Sequence, residues 1–521
     1  MTMSLGRTPT HEDLFRSSRA ACEARLPETC IFRLLARESH RLFADEAFAD
    51  LFTDIGRRSV PPRIVAVVML LQRLHGLSDR EAVDAFAFDL RWKYAAGALD
   101  FDHPSFVHTV LVDMRERLRG SERPNRIFEA VLDVAKQAGL VGRKRVLDST
   151  ALYDAVATQD TVTMVRAAIV GLLRVADEPL EAELRAALRR EDDYRQSGKP
   201  KCDWEDAATR EALVDALACD GHALLARLHD RPLGAEGKQA AELLATVLGQ
   251  DLETTRDGRF RIARRVAENR LISTVDPEAR HGHKTASRGF DGYKGHIAID
   301  PDSEIITATE VSAGNVGDAQ PAPLLVQDVL GSKGENGEPA EVYGDSSYGT
   351  AELVERIEEA GAEANVKVQP PSPPKAGMLA QDAFDIDTKG ETVRCPAGVL
   401  VPIRRHGDGS GLAEFGAACA GCALRDKCTS SKAGRSVNVH PKYETLRRSR
   451  ARQRAPGWKA RYRATRPKVE RKIAHLMRRK HGGRRVRVRG RLRVAHDFAL
   501  LATAVNLDRL AKLGVTGAAI A

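Results

Sequence analysis

Three acidic residues far apart in the chain, Asp148, Asp345 and Glu470, are where chemistry is most readily expected. Asp148 sits in VLDST, at or near the end of a short β-branched stretch that begins after Gly142. Asp345 sits in VYGDSSYG, where Gly344 and Ser346–Ser347 mark a change from strand to loop. Sites in open α/β sheets gather at the carboxyl ends of strands, so two aspartates there share one crevice if their strands are neighbours. Each alone is also what a turn or a helix cap recruits. Glu470 lies in RPKVERKIAHLMRRK, where Val469, Ile473 and Leu476 define the apolar face of a helix. It falls at the border of that face, directed toward the body of the protein. The plain alternative is an exposed pair with Arg466 one turn back, which stabilises by about 0.3–0.5 kcal/mol. Three carboxylates brought together repel, and burial makes their ionisation costlier still. Mg²⁺ or Mn²⁺ resolves this with hard oxygen ligands. Two such ions about 3.5–4 Å apart activate an attacking oxygen and stabilise the leaving oxygen of a phosphodiester.

The elements that must position these groups read as a mixed α/β sheet. Strand patterns occur in RKRVLDSTAL, DGYKGHIAIDP, SEIITATEVSAG, AEVYGDSSYG and ANVKVQ, with helices in APLLVQDVL and TAELVERIEEAG. A charged helical block, about 160–265, interrupts the sheet after its first strand, and QPPSPPKAG marks a later boundary. Residues from about 30 to 120 read as all helical: RIVAVVMLLQRLHGL follows Pro61-Pro62, and Ser78 with Glu81 forms the pattern of a capping box. Trp92 and Tyr94 are expected to pack this region.

The chain has 521 residues, 43% hydrophobic and 29% charged, with a net charge of +9. From Arg435 to Arg493 there are 23 lysines and arginines against two acids, a local +21. The remainder carries 58 against 70, or −12. So local an excess is the footprint of a polyanion, nucleic acid ahead of an anionic membrane surface. The bland reading is a solvated basic helix or a disordered tail, but apolar residues persist there at helical spacing. No run approaches the roughly 20 apolar residues of a membrane span, and the N-terminal residues MTMSLGRTPTHEDLF show no apolar core of a secretory signal.

Eight cysteines are too sparse for a disulfide scaffold and point to a reducing compartment. Four of them, Cys395, Cys419, Cys422 and Cys428, follow C-x23-C-x2-C-x5-C, a set that binds Zn²⁺ as four thiolates, with His406 and His440 as alternative ligands. The bland alternative is four free loop cysteines. Lys294 in GYKGH, with Arg280, His283 and Lys284 in EARHGHK, are candidate phosphate contacts or simply solvated loop charges. His296 reads as a satisfied core histidine.

The ordered set PPRIVAVVMLLQRLHGLSDREAV, VLDST, DPEARHGHK, GYKGH, YGDSSYG, YRATRPKVERKIAHL and RVRVRGRLRVAHDFALLATAVNLDRL resembles the bacterial insertion-sequence transposases of the DDE type, over most of residues 30–510. The resemblance implies an RNase H-like catalytic domain over 140–375 and 440–510, a helical DNA-binding or dimerisation domain over 1–135, and a cysteine-rich, zinc-ribbon-like insert over 380–440. It implies that Asp148, Asp345 and Glu470 hold two Mg²⁺ or Mn²⁺ ions. Tyr462, Arg463 and Arg466 would contact DNA, although the spacing from Tyr462 to Arg466 is one residue longer than the family pattern. The implied activity is DNA cleavage and strand transfer at terminal inverted repeats, by a cytoplasmic, nucleoid-associated homodimer or larger synaptic complex that joins element ends to target DNA. A hydrolytic nuclease of the same fold and a non-catalytic DNA-binding protein are the alternatives.

Overall fold

The computed structural model describes residues 3–6, 18–192, 194–195, 199–285, 287–331 and 337–515, so most of the segment read for a secretory signal lies outside the described residues. Its centre is a six-stranded mixed sheet of β1 (Lys144–Tyr153), β2 (Arg280–Thr285), β3 (Arg288–Ile299), β4 (Ile306–Ala313), β5 (Glu341–Gly344) and β6 (Glu363–Val366). The long strand β3 pairs antiparallel with β1, β2 and β4, while β1 runs parallel to β5 and β5 parallel to β6. Buried strands with both faces covered read as continuous apolar runs. Accordingly, Val146 and Leu147 of β1 and Ile297, Ala298 and Ile299 of β3 are fully buried.

Alternation along β1 assigns its two faces. Val146 joins a core with Val469, Leu476 and the N-terminal helices, whereas Leu147 joins one with Val342, Leu353 and Ile357. Asp148 therefore shares the face of Val146. The ladder pairs Lys144 with Glu341 and Val146 with Tyr343. Continued by two residues, it sets Asp345 level with Asp148 and on the same face, on strands about 4.8 Å apart. Arg145, 2% exposed, fixes the start of β1 by donating from Nη2 to Asp328 Oδ2 at 2.6 Å and from Nη1 to the Gly142 carbonyl at 2.8 Å.

Around the sheet, α1 (Pro62–His75) is almost wholly buried and ends at Gly76, whose φ of 66° suits glycine. The capping box at Ser78 and Glu81 is formed. The basic segment folds as α2 (Tyr443–Arg454), α3 (Pro456–Thr465) and α4 (Pro467–Leu476). The last helix, α5 (Arg491–Lys512), is buried on nearly all sides between the sheet and the N-terminal helices. Its Asn506 side chain accepts from the Ile306 amide at 2.9 Å and donates to the Ile306 carbonyl at 2.8 Å. The helical block has its own core, in helices from Thr161 to Asp251. The cysteine-rich segment forms two three-stranded antiparallel sheets on a small core of its own. No described helix is long and apolar enough to cross a membrane.

Three readings change. Asp148 lies within β1, which runs on to Tyr153, so it is no strand terminus. APLLVQDVL is helical only over Ala322–Leu325. The edge strand β2 had no apolar alternation to reveal it.

His496, in α5, is 5% exposed with its Nδ1 unpartnered, and burial, aided by Arg119, pushes the imidazole down to about 4. An unfolded chain takes up this proton near 6.5 and the folded one only near 4. The contribution is therefore complete above 6.5 and lost as pH falls, at about 1.4 kcal/mol per pH unit. His496→Met is expected to flatten the fall of the thermal midpoint between pH 6.5 and 5; an unchanged slope would contradict this.

Candidate functional site

Asp148 is carried on the α4 face of β1, and its Oδ1 accepts the Ser149 amide at 2.9 Å. Asp345 follows β5 directly and caps the short turn Ser346–Tyr348, accepting the Ser347 amide at 2.9 Å. Glu470 stands in the first turn of α4, at the border of the face that Val469 and Leu476 bury. Tyr462 of α3 fixes this assembly from above: its hydroxyl donates to the Gly344 carbonyl at 3.2 Å and its ring stacks on Trp458 at 4.7 Å.

Arg466, the residue joining α3 to α4, brings the acids to one point. Its guanidinium meets Asp148 through both terminal nitrogens, Nη2 to Oδ1 at 3.0 Å and Nη1 to Oδ2 at 3.2 Å. The same group reaches Asp345 Oδ2 at 3.6 Å and Glu470 Oε1 at 3.8 Å. The Arg466 side chain is 8% exposed, against 14% for Asp148, 40% for Asp345 and 62% for Glu470. The expected Arg466–Glu470 pair is thus real, but it is the longest and wettest of the three contacts. Burial raises the Asp148 carboxyl above its ordinary range despite Arg466. Burial opposes the charge on Arg466, yet Asp148 and Asp345 together hold its proton more firmly than usual. Among the described residues, no three His, Cys, Asp or Glu side chains are grouped so as to hold a metal ion. At the acids, the guanidinium occupies the shared centre.

These groups line a cleft of about 600 Å³. A fourth carboxylate in its wall, Asp318, was missed from sequence; the only signal was an aspartate in the GNVGD loop after β4. It accepts from Lys294 Nζ at 2.8 Å and from Ser149 Oγ at 2.6 Å. The Tyr348 hydroxyl lies buried and unpartnered, held well above its usual range by burial and then by Asp318, Asp148 and Asp345.

The other expected contacts divide. Lys294 is tied to Asp318 and the Val316 carbonyl, and Arg280 donates to Asn269 Oδ1 at 2.8 Å and to the Ala279 carbonyl at 2.9 Å. Both are committed within the protein. Lys284 and Arg463 are exposed, and Lys284 lines the cleft with His283. His296 is fully buried, its Nε2 2.8 Å from Ser312 Oγ and its Nδ1 unpartnered. Much of the basic run is paired: Arg448 and Arg452 with Glu358, Arg461 with Glu363, Lys468 with Asp302 and Arg471 with Glu304.

Cys395, Cys419, Cys422 and Cys428 are unbridged and line one cavity of about 20 Å³. Amides of Leu424 and Arg435 point at sulfur, donating to Cys422 Sγ at 3.4 Å and Cys419 Sγ at 3.5 Å. Burial raises the Cys428 thiol, with the other three cysteines adding to the shift. As placed, the four sulfurs do not form a closed metal site.

Comparison with known proteins gives two family matches. Residues 21–117 match a transposase domain, DUF772, and residues 394–511 match a transposase DDE domain. No curated protein and no solved structure matches the chain. The first match covers the helical N-terminal region, and the second contains the helix of Glu470 and the buried final helix. Both matches are to transposase domains, and they support an insertion-sequence transposase of the DDE type.

Proposed function

We propose that this protein cuts DNA at the ends of an insertion sequence and joins the freed ends to target DNA, with Asp148, Asp345 and Glu470 as ligands of two Mg²⁺ or Mn²⁺ ions. The observation that carries this reading is the single guanidinium reached by all three carboxylates in one open cleft. Carboxylates gather around positive charge, and here an arginine supplies it; their oxygens are the hard donors that such ions take. When bound, the metals would supply an activated oxygen nucleophile and neutralise charge on the leaving oxygen of a phosphodiester.

The residues of the chain would do the rest. Asp148 and Asp345 hold a fixed separation because their strands are hydrogen-bonded neighbours, whereas Glu470, on a helix and largely exposed, is free to adjust. Arg466 is positioned to release the acids and turn to a phosphate. The antiparallel order β4-β3-β1 continued by parallel β5 and β6 supports an RNase H-like fold, over 140–375 and 440–510. Residues 1–135 would bind the terminal repeats or join two copies of the chain, since both ends of an element must be held together. Affinity for duplex DNA would then fall steeply with salt.

Asp148→Asn, Asp345→Asn and Glu470→Gln are each expected to lower Mn²⁺-dependent cleavage and joining of labelled element ends by about 10²–10³-fold or more, with DNA binding kept. Joined products in the wild type separate a transposase from a purely hydrolytic nuclease. Undiminished cleavage by Asp148→Asn would remove the acids from the chemistry.

The cysteine cavity belongs to this proposal as a structural Zn²⁺ site. Its size suits about one small occupant, and four cysteine sulfurs are a donor set that Zn²⁺ takes. Purified protein is expected to contain about one zinc per chain by elemental analysis, lost in Cys419→Ser/Cys422→Ser. Zinc far below one per chain after growth with added zinc would overturn the assignment.

A further inference from the structure

We propose that the acid cleft continues into a cationic track, formed by Lys284, Arg288 and Arg484, that carries the phosphate backbone of the DNA beyond the reacting phosphodiester; this rests on the transposase reading above. The cleft that holds the three acids opens into a smaller recess of about 40 Å³, and the two share Thr150, Ala151, Lys284, Phe290 and Arg484 in their walls. Arg288 lines the recess as well. The walls are built by two elements that meet at the far end of β1. One is the β2–β3 hairpin, which bears Lys284 and Arg288. The other is the strap Arg484–Val486, laid along the last residue of β1: the Tyr153 amide donates to the Arg484 carbonyl, and the Val486 amide to the Tyr153 carbonyl, both at 2.9 Å. Val486 is buried and anchors the strap, leaving Arg484 and Arg485 exposed.

What sets these three cations apart is that they meet in one recess without an acid among them. Among the described residues, no carboxylate lies within ion-pair distance of Lys284, Arg288 or Arg484, and all three are exposed. By contrast Arg447, Arg448, Arg452, Arg461, Lys468, Arg471 and Arg491 each have an acid beside them. The surplus of the basic segment is thus cancelled in much of α2–α4, whereas its Arg484 stands without an acid beside Lys284 and Arg288 of the β2–β3 hairpin. Cations converging on one recess repel each other, and a repeating anion relieves this best. A phosphodiester chain is such an anion, and a strand bound at the acids is already at the mouth of the track. Thr150 and Ala151, small residues two and three positions beyond Asp148, leave its floor open.

The test is the affinity of the full-length protein for a duplex of about 30 base pairs, by fluorescence anisotropy in EDTA from 50 to 300 mM KCl. Each lost phosphate contact reduces the slope of log K against log salt by about 0.9. Lys284→Ala/Arg288→Ala/Arg484→Ala should therefore lower the slope by about 2–3 and weaken binding at least about 10-fold at 50 mM KCl. Lys284→Arg/Arg288→Lys/Arg484→Lys should keep the wild-type slope, and Arg447→Ala/Arg448→Ala/Arg461→Ala should change it by less than about 1. A wild-type slope in the first variant, loss in the charge-conserving variant, or equal loss in the third would overturn the track while leaving the transposase reading intact. Failure of the wild type to bind DNA would overturn both.

Discussion

Three carboxylates share one guanidinium, and the sheet and helices around it are arranged to keep them there. Like charges this close in a partly desolvated cleft need a cation among them, and Arg466 is that cation. The cost of holding it is visible on both sides of the pair. Asp148 resists ionisation because it is buried, and Arg466 is buried with an unpartnered Nε. Such an arrangement is poor as a source of stability, since a buried ion pair seldom outperforms an apolar replacement. It is the arrangement expected if, as proposed, the acids are ligands for stronger positive charge.

The scaffold explains how the cluster is held together. Asp148 and Asp345 are fixed by a parallel ladder whose ends are pinned by Arg145 and by the turn at Ser346–Tyr348. Glu470 arrives on a helix seated by Val469 and Leu476. That helix packs in the same core as the N-terminal helices and α5, so the region matching the DUF772 transposase domain and the sheet share one continuous apolar interior. The helical block and the cysteine-rich segment have separate cores and leave the acid cleft open.

Much of this was legible in the sequence for definite reasons. The β-branched runs around Val146 and Ile297 and the breaker after Gln369 fix the strands, and the apolar spacing of Val469, Ile473 and Leu476 fixes the face that leaves Glu470 beside the cleft. Asp148 was expected at a strand end because the β-branched stretch around Val146 is short; pairing with β3 as far as Tyr153 carries the strand past it. The partners of the basic run were hidden for another reason. Glu358, Glu363, Asp302 and Glu304 are about 90–170 residues away from the arginines and lysines they meet, and no local pattern signals them. Asp318 escaped notice likewise, because a loop aspartate has no periodicity. Folding therefore turned a uniform-looking positive segment into paired helices and a few free cations.

The central claim is that Arg466 stands where divalent ions would be bound. An anomalous-difference map from crystals of the protein with DNA and Mn²⁺ tests it directly. The account predicts manganese bonded to oxygens of Asp148 and Asp345, with Glu470 drawn in and the Arg466 guanidinium withdrawn toward a phosphate. Manganese bound elsewhere, or Arg466 still bridging the three carboxylates at saturating Mn²⁺, would contradict it.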